Sequence, residues 1–269
     1  MLSKRIISGI VLIGIVITII FFELATVATI IVLIGIGLYE FFTMLEKKGI
    51  RIYKYFGIAT GLVIPLSIAF RFELTKRWEL LFLVLTLLFL ILMQFRRRQN
   101  SGVIIDISTT IFGILYVSWF FSFMIKIRYL EDGLSLLAAL LLITKLGDIG
   151  AFFVGTRFGK IPLLPRISPK KTVEGAFGGL AFSVVGALIS RGFSWSLAGF
   201  SYSHVVLMGL SLGVLGQLGD LSESLIKRDC QVKDSGTILP GMGGILDEID
   251  SLLFTAPVFY FYMTIALGT

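Results

Sequence analysis

The sequence predicts an all-α fold: a polytopic integral membrane helical bundle of about nine transmembrane helices, with its N-terminus on the cytoplasmic side. Three observations predict it. Of 269 residues, 56% are hydrophobic and only 15% are charged, against roughly 45–50% and 25% in a soluble domain. Mean hydropathy is +0.95. The apolar residues fall in runs of about 17–25, the length of a helix that crosses a bilayer. Lysine and arginine are unevenly shared between the segments that join those runs.

The first run, 6–22, follows Lys4 and Arg5. A secretory signal begins the same way, but this run is long and has no Ala-x-Ala cleavage site. It also leads almost directly into a second run at 24–45, so it reads as a retained helix. Further runs follow at 56–72, 79–95, 104–125, 134–154, 173–190, 204–221 and 250–267. Helices are required because hydrocarbon offers no partner to an unpaired backbone N–H or C=O. With the N-terminus inside, 17 of the 24 Lys and Arg fall on cytoplasmic segments and 6 outside, with Lys145 within a run. That asymmetry follows the positive-inside rule. It places the loops 155–172 and 222–249 together on the cytoplasmic face. The chain divides by character: 1–130 reads as transmembrane scaffold, and 131–269 as a catalytic transmembrane region with a cytoplasm-facing polar cavity.

Charge and composition exclude several functions. The net charge of +7 is accounted for by loops facing anionic lipid, so no nucleic acid is expected as a partner. The single His204 and single Cys230 leave no His/Cys zinc set and no intrachain disulfide. A Ser-His or Cys-His hydrolase is poorly supported, because the one histidine lies on an apolar segment. His204 reads as a segment-end or packing residue. Cys230 lies between Arg228 and Lys233, cations that would favour its thiolate, and otherwise reads as an incidental thiol.

Three constellations carry chemistry. In Gly147–Lys160, Asp148 stands three residues after Lys145, on one helix face, either as a structural ion pair or as part of a polar cavity. In Ile167–Gly175, Pro169 fits a first helical turn with Ser168 as its N-cap. The free N–H groups of such a helix start, with Lys170, Lys171 and Thr172, suit a phosphate. A basic cap on the next helix is the alternative. The third constellation runs from Gly216 to Asp250. Asp220, Glu223, Ser224 and Lys227 share one helix face, and so do Asp247 and Asp250. Carboxylates brought together in this way repel, so a shared site needs a cation or raised pKa values. Oxygen donors without His or Cys favour magnesium, manganese or calcium. Between the two faces, the glycine-rich 239–244 segment can offer backbone N–H groups to phosphate oxygens. An integral membrane enzyme acting on phosphates is the expectation.

These residues resemble the phosphatidate cytidylyltransferase (CDP-diacylglycerol synthase) family. Its signature is matched by Ser224, Lys227, Arg228, Lys233, Asp234, Pro240, Gly243, Gly244, Asp247 and Asp250. The upstream stretches from Asp148 and from Ser168 to Gly175 match as well. Met242 stands where the family usually has His, and Glu248 where it has Arg. The resemblance implies that CTP and phosphatidate yield CDP-diacylglycerol and pyrophosphate in phospholipid biosynthesis. It implies Asp220, Asp247 and Asp250 as ligands of Mg2+ or another divalent cation. Lys171, Lys227 and Arg228 would hold phosphates, and Asp148 would support the polar cavity. Ser168, Lys170, Thr172, Ser224, Lys233, Gly243 and Gly244 would bind substrate. Phosphatidate would enter from the cytoplasmic leaflet of the cell (inner) membrane, among the membrane lipids, and a homodimer is expected. Two rivals remain: a CTP-dependent polyprenol- or phytol-type lipid kinase, and an ion-coupled transporter lined by the same carboxylates.

Overall fold

The computed structural model describes residues 14, 18–71, 78–96, 101–239 and 243–268. Its helices are α1 (Glu23–Lys47), α2 (Lys54–Ala69), α3 (Trp78–Gln94), α4 (Val103–Arg128), α5 (Gly133–Phe158), α6 (Val173–Arg191), the short α7 (Trp195–Ala198), α8 (Tyr202–Asp229) and α9 (Ile245–Leu267). One antiparallel hairpin, β1 (Pro162–Leu164) with β2 (Ser168–Thr172), joins α5 to α6.

Six of the described helices, α1, α4, α5, α6, α8 and α9, are long and apolar enough to cross a bilayer. The protein is a multi-pass membrane protein. The runs expected at 56–72 and 79–95 form shorter apolar helices of 16 and 17 residues, rising only about 24–26 Å at 1.5 Å per residue. The expected span at 6–22 lies mostly outside the described residues, which include only 14 and 18–22 of it.

Helix ends differ from the hydropathy reading for one physical reason. Charges paired across the bundle can sit on a helix that a hydropathy window closes early. Thus α8 continues to Asp229, carrying Glu223 and Lys227 as helical residues, and α9 begins at Ile245, ahead of Asp247. Within α4, residues Ile114–Trp119 form a π-helical turn, a local widening frequent near functional sites.

The expected N-cap at Ser168 is corrected. Ser168–Thr172 is extended and pairs with β1, with Leu164 opposite Ser168 and Pro162 opposite Thr172. Pro169 is tolerated there because a two-stranded hairpin has an edge that needs no N–H. The cap is Thr172, whose Oγ1 accepts from Gly175 N at 3.1 Å.

The core brings together Ile34, Leu38, Phe41 and Phe42 of α1, Leu136, Leu140 and Ile143 of α5, and Leu246, Leu253 and Phe259 of α9, all buried. Leu24, Phe152, Phe177 and Ile265 face outward, as a lipid-contacting surface requires. The most closely packed pair is α5 with α6. A Cβ on Gly150 would come within 2.5 Å of the Phe182 ring, so only glycine admits this approach. His204 lies in the first turn of α8, where Ser201 caps the helix and meets His204 Nδ1 at 3.0 Å.

Candidate active site

A cavity of about 1360 Å³ runs through the bundle. Much of its wall is apolar, including Ile30, Leu33, Phe121, Met124, Leu137 and Leu141. Its ionisable lining is gathered where β2, α8 and the start of α9 meet α5. Lys145, Asp148, Lys170, Lys171, Asp220, Asp247, Glu248 and Asp250 all reach it, with Ser168, Thr172 and Gln217.

Lys171 on β2 and Asp220 on α8 face each other, Nζ to Oδ2 2.5 Å. The Lys171 Nζ atom is buried, and Asp220 is the one ionic partner it meets among the described residues. Asp220 occupies one of its three N–H donors and leaves the others for a ligand. Lys145 ties α5 to α9: its Nζ donates to the Glu248 carbonyl at 2.8 Å and lies 3.5 Å from Asp148 Oδ2. Ser251 Oγ donates to that same Oδ2 at 3.2 Å. Asp250 is buried at 7% exposure, its Oδ1 accepting from Ser251 N at 2.5 Å. No Lys or Arg among the described residues forms an ion pair with it. The charges of Asp220, Glu223 and Asp148 bear on it, opposed by Lys145. This proximity follows from the helix crossing, because the Gly219 backbone lies directly on the Asp250 carbonyl and leaves no room for a Cβ.

Behind the cavity wall stands a second cluster. Lys227 pairs with Glu223 one turn earlier on α8, and its Nζ lies 2.5 Å from Asp247 Oδ1. Glu223 is wholly buried. Asp247 Oδ2 accepts from Gly244 N at 2.7 Å, Ser235 N at 2.9 Å and Ser235 Oγ at 2.7 Å. Gly243 sits at φ +105°, a backbone region that only glycine enters without strain. Leu239 and Gly243 exchange two backbone hydrogen bonds of 2.9 and 3.2 Å. Pro240 and Met242 lie outside the described residues.

The expected residues thus separate into two groups. Asp148, Ser168, Lys170, Lys171, Thr172, Asp220, Asp247 and Asp250 line one cavity. Lys227 is turned to Glu223 and Asp247, and Arg228 is exposed, its Nε donating to Ile167 O at 3.2 Å. Lys233 is exposed and Ser224 half-buried. Gly243 and Gly244 shape the entry to α9. Glu174 binds the backbone instead of the cavity, accepting from Lys160 N at 3.0 Å and Ile161 N at 3.2 Å. Cys230, read from the sequence as an incidental thiol, is 4% exposed, and burial pushes its thiol up, Asp229 adding to the effect and Lys48 opposing it.

Sequence reading missed Glu40, Ser235 and Ser251. Glu40 is an acid inside an apolar run, which was the available signal. The serines carry no signal of their own, because only the fold brings them to the carboxylates.

The donor chemistry suits a hard divalent cation, since every ionised ligand on the wall is a carboxylate. Among the described residues no group of three His, Cys, Asp or Glu side chains is arranged to hold an ion unaided. A carboxylate oxygen offers two lone pairs. Asp247 Oδ2 is saturated, whereas Oδ1 pairs with Lys227.

A model described as the cytidylyltransferase family matches residues 3–266. The chain belongs to the cytidylyltransferase family. Among curated members, a phosphatidate cytidylyltransferase of Synechocystis is 34% identical over 272 residues, covering 89% of this chain and 88% of the relative. One from Bacillus subtilis is 40% identical over 168 residues, 62% of each chain. One from Staphylococcus aureus is 39% identical over 172 residues, 63% of this chain and 64% of the relative. The chain therefore matches a little under two thirds of the length of the latter two, and most of the Synechocystis protein.

Proposed function

We propose that this cytidylyltransferase family member is a phosphatidate cytidylyltransferase. It takes CTP from water and phosphatidate from the membrane and releases CDP-diacylglycerol and pyrophosphate. The observation that carries the reading is Lys171: a partly exposed side chain whose Nζ is held beside Asp220 with N–H donors to spare, at the polar part of a cavity whose remaining wall is largely apolar. Such a site suits a ligand with an anionic head and hydrocarbon tails.

The chemistry asks little of a base. A phosphate oxygen of phosphatidate is already anionic, so it attacks the α-phosphorus of CTP directly. The bond to the β-phosphate breaks, and pyrophosphate leaves with the electron pair. The obstacle is repulsion between two polyanions. Lys171 and Lys170 neutralise phosphate oxygens, and Thr172 and Ser168 offer hydroxyls beside them. Lys227 holds Asp247 in place, and Lys145 holds Asp148 and the first turn of α9. Asp220, Asp247 and Asp250 are the proposed ligands of Mg2+. A magnesium ion bound there would supply further neutralisation of the phosphates. Such ions are commonly held by one or two carboxylates, with substrate phosphates completing the shell.

The reading includes nine membrane spans, an N-terminus and active site on the cytoplasmic side, and residence in the cell (inner) membrane. The excess of Lys and Arg on one set of loops supports that orientation. A homodimer rests on family resemblance. The test is incubation of purified protein in lipid with phosphatidate and CTP labelled in the cytosine ring. Label in the lipid product supports the reading; a phosphorylated lipid free of cytidine, or no lipid product, rejects it.

A further inference from the structure

Glu40 belongs to α1, in the half of the chain that composition marks as scaffold, yet it reaches the entry of the catalytic helix α9. It is 3% exposed. Its Oε1 accepts from Ile245 N at 3.1 Å, and its Oε2 from Leu246 N at 2.9 Å and Ser235 Oγ at 3.2 Å. A Cβ on Gly236 or Gly244 would collide with this carboxylate. No Lys or Arg among the described residues forms an ion pair with Glu40, so its charge is met by N–H groups at a helix start, where the positive end of the dipole lies.

The local need is clear. The first amides of α9 have no partner within the helix, and its N-cap, Gly244, has no side chain to offer. Asp247 Oδ2 takes the Gly244 amide, and Glu40 takes the next two. Ser235 has one hydroxyl proton between two carboxylates and sits nearer Asp247, at 2.7 Å against 3.2 Å. The two acids thus clasp a single turn, with Ser235 between them. Packing one turn earlier on α1 reinforces the register: Gly37 faces Leu246 and Ile249.

We propose that Glu40 is a positioning residue for the reaction: it fixes the first turn of α9, and through it the direction in which Asp247 and Asp250 present their carboxylates to the cavity. The proposal rests on the site assignment above. Glutamine at 40 keeps the volume but turns an N–H₂ group toward donors, so at least one of the three bonds is lost. Aspartate keeps the charge with one methylene less reach.

The experiment uses the full chain in lipid-containing micelles with Glu40→Gln, Glu40→Asp and Ser235→Ala. Three readouts are taken: kcat and KM for both substrates, hydrogen exchange of the 243–247 amides, and the unfolding temperature. Supporting residues of this kind typically change activity by roughly 10- to 100-fold. Glu40→Gln is expected to lower kcat within that range, to speed exchange at 244–247, and to lower the unfolding temperature by only a few degrees, too little to account for the lost activity. Glu40→Asp recovers part of both effects, and Ser235→Ala shows a weaker form of them. Wild-type kcat and exchange in Glu40→Gln would overturn the proposal. So would activity that falls only in step with the unfolding temperature, and if Glu40→Gln does not fold, unchanged exchange in Ser235→Ala does the same. The exchange readout needs no turnover, so a failure of the assigned reaction is distinguishable from a failure of this inference.

Discussion

Lys171 on the β2 strand and Asp220 on α8 stand 2.5 Å apart, Nζ to Oδ2, across the polar part of the cavity. Both are partly exposed, at 27% and 37%, so the pair contributes little to stability. Its consequence is placement: a cation and an anion from different elements are held where phosphates would arrive. Asp220→Asn and Lys171→Met are each expected to lower kcat/KM by about 100-fold or more, with the protein still folded. The double variant is expected to lose less than the product of the single losses, because the residues share one partner. A double-mutant cycle on kcat/KM checks this; retained activity in Asp220→Asn removes that residue from the site.

Lys227 has a different role from Lys171. It stands between Glu223, which is wholly buried, and Asp247. Removing one member of a buried ionic cluster leaves a charge without compensation, at a cost of about 3–5 kcal/mol. Lys227→Met is therefore expected to lower the unfolding temperature, and Glu223→Gln added to it to restore part of the loss. Denaturation followed by helix signal measures both. A Lys227→Met protein of unchanged stability contradicts this placement.

Thr172 joins the hairpin to α6 through one hydrogen bond, Oγ1 from Gly175 N. Thr172→Ala is expected to cost about 1 kcal/mol, and Thr172→Ser much less. Equal stability of all three proteins would show that the cap carries no weight.

Cys230 supplies a pH test. Burial raises its thiol, so the thiolate fraction at neutral pH falls below that of a free cysteine near about 8.5. Alkylation of the native protein at pH 7 is expected to be slow, to quicken as pH rises, and to become rapid on unfolding. Fast labelling of the folded protein at pH 7 runs against this account.

Much of the architecture is legible in hydropathy, since α1, α4, α5, α6, α8 and α9 each overlap an apolar run. Charge at a helix end hides the boundary: Glu223, Lys227 and Asp247 satisfy one another across space, and no linear window registers that. The hairpin was missed because Ser168-Pro169 resembles a helix start when its partner strand, Pro162–Leu164, is out of view. The cavity residues Asp148, Lys171, Asp220, Asp247 and Asp250 were readable because acids and bases within apolar sequence are conspicuous. Lys227 and Arg228 had the same signal, but only the fold reveals that one is turned to carboxylates and the other to a backbone carbonyl. Glu40 was passed over because it stands alone in its run, 195 positions from Ser235 in sequence.

The central claim is that this cavity unites a lipid phosphate with the α-phosphate of CTP. Purified protein supplied with phosphatidate and CTP carrying label at either the α- or the γ-phosphate tests it most directly. The account predicts α-label in the lipid and γ-label in pyrophosphate, both lost in Asp220→Asn. Transfer of γ-label to lipid, with the α-label remaining in CDP, would contradict it.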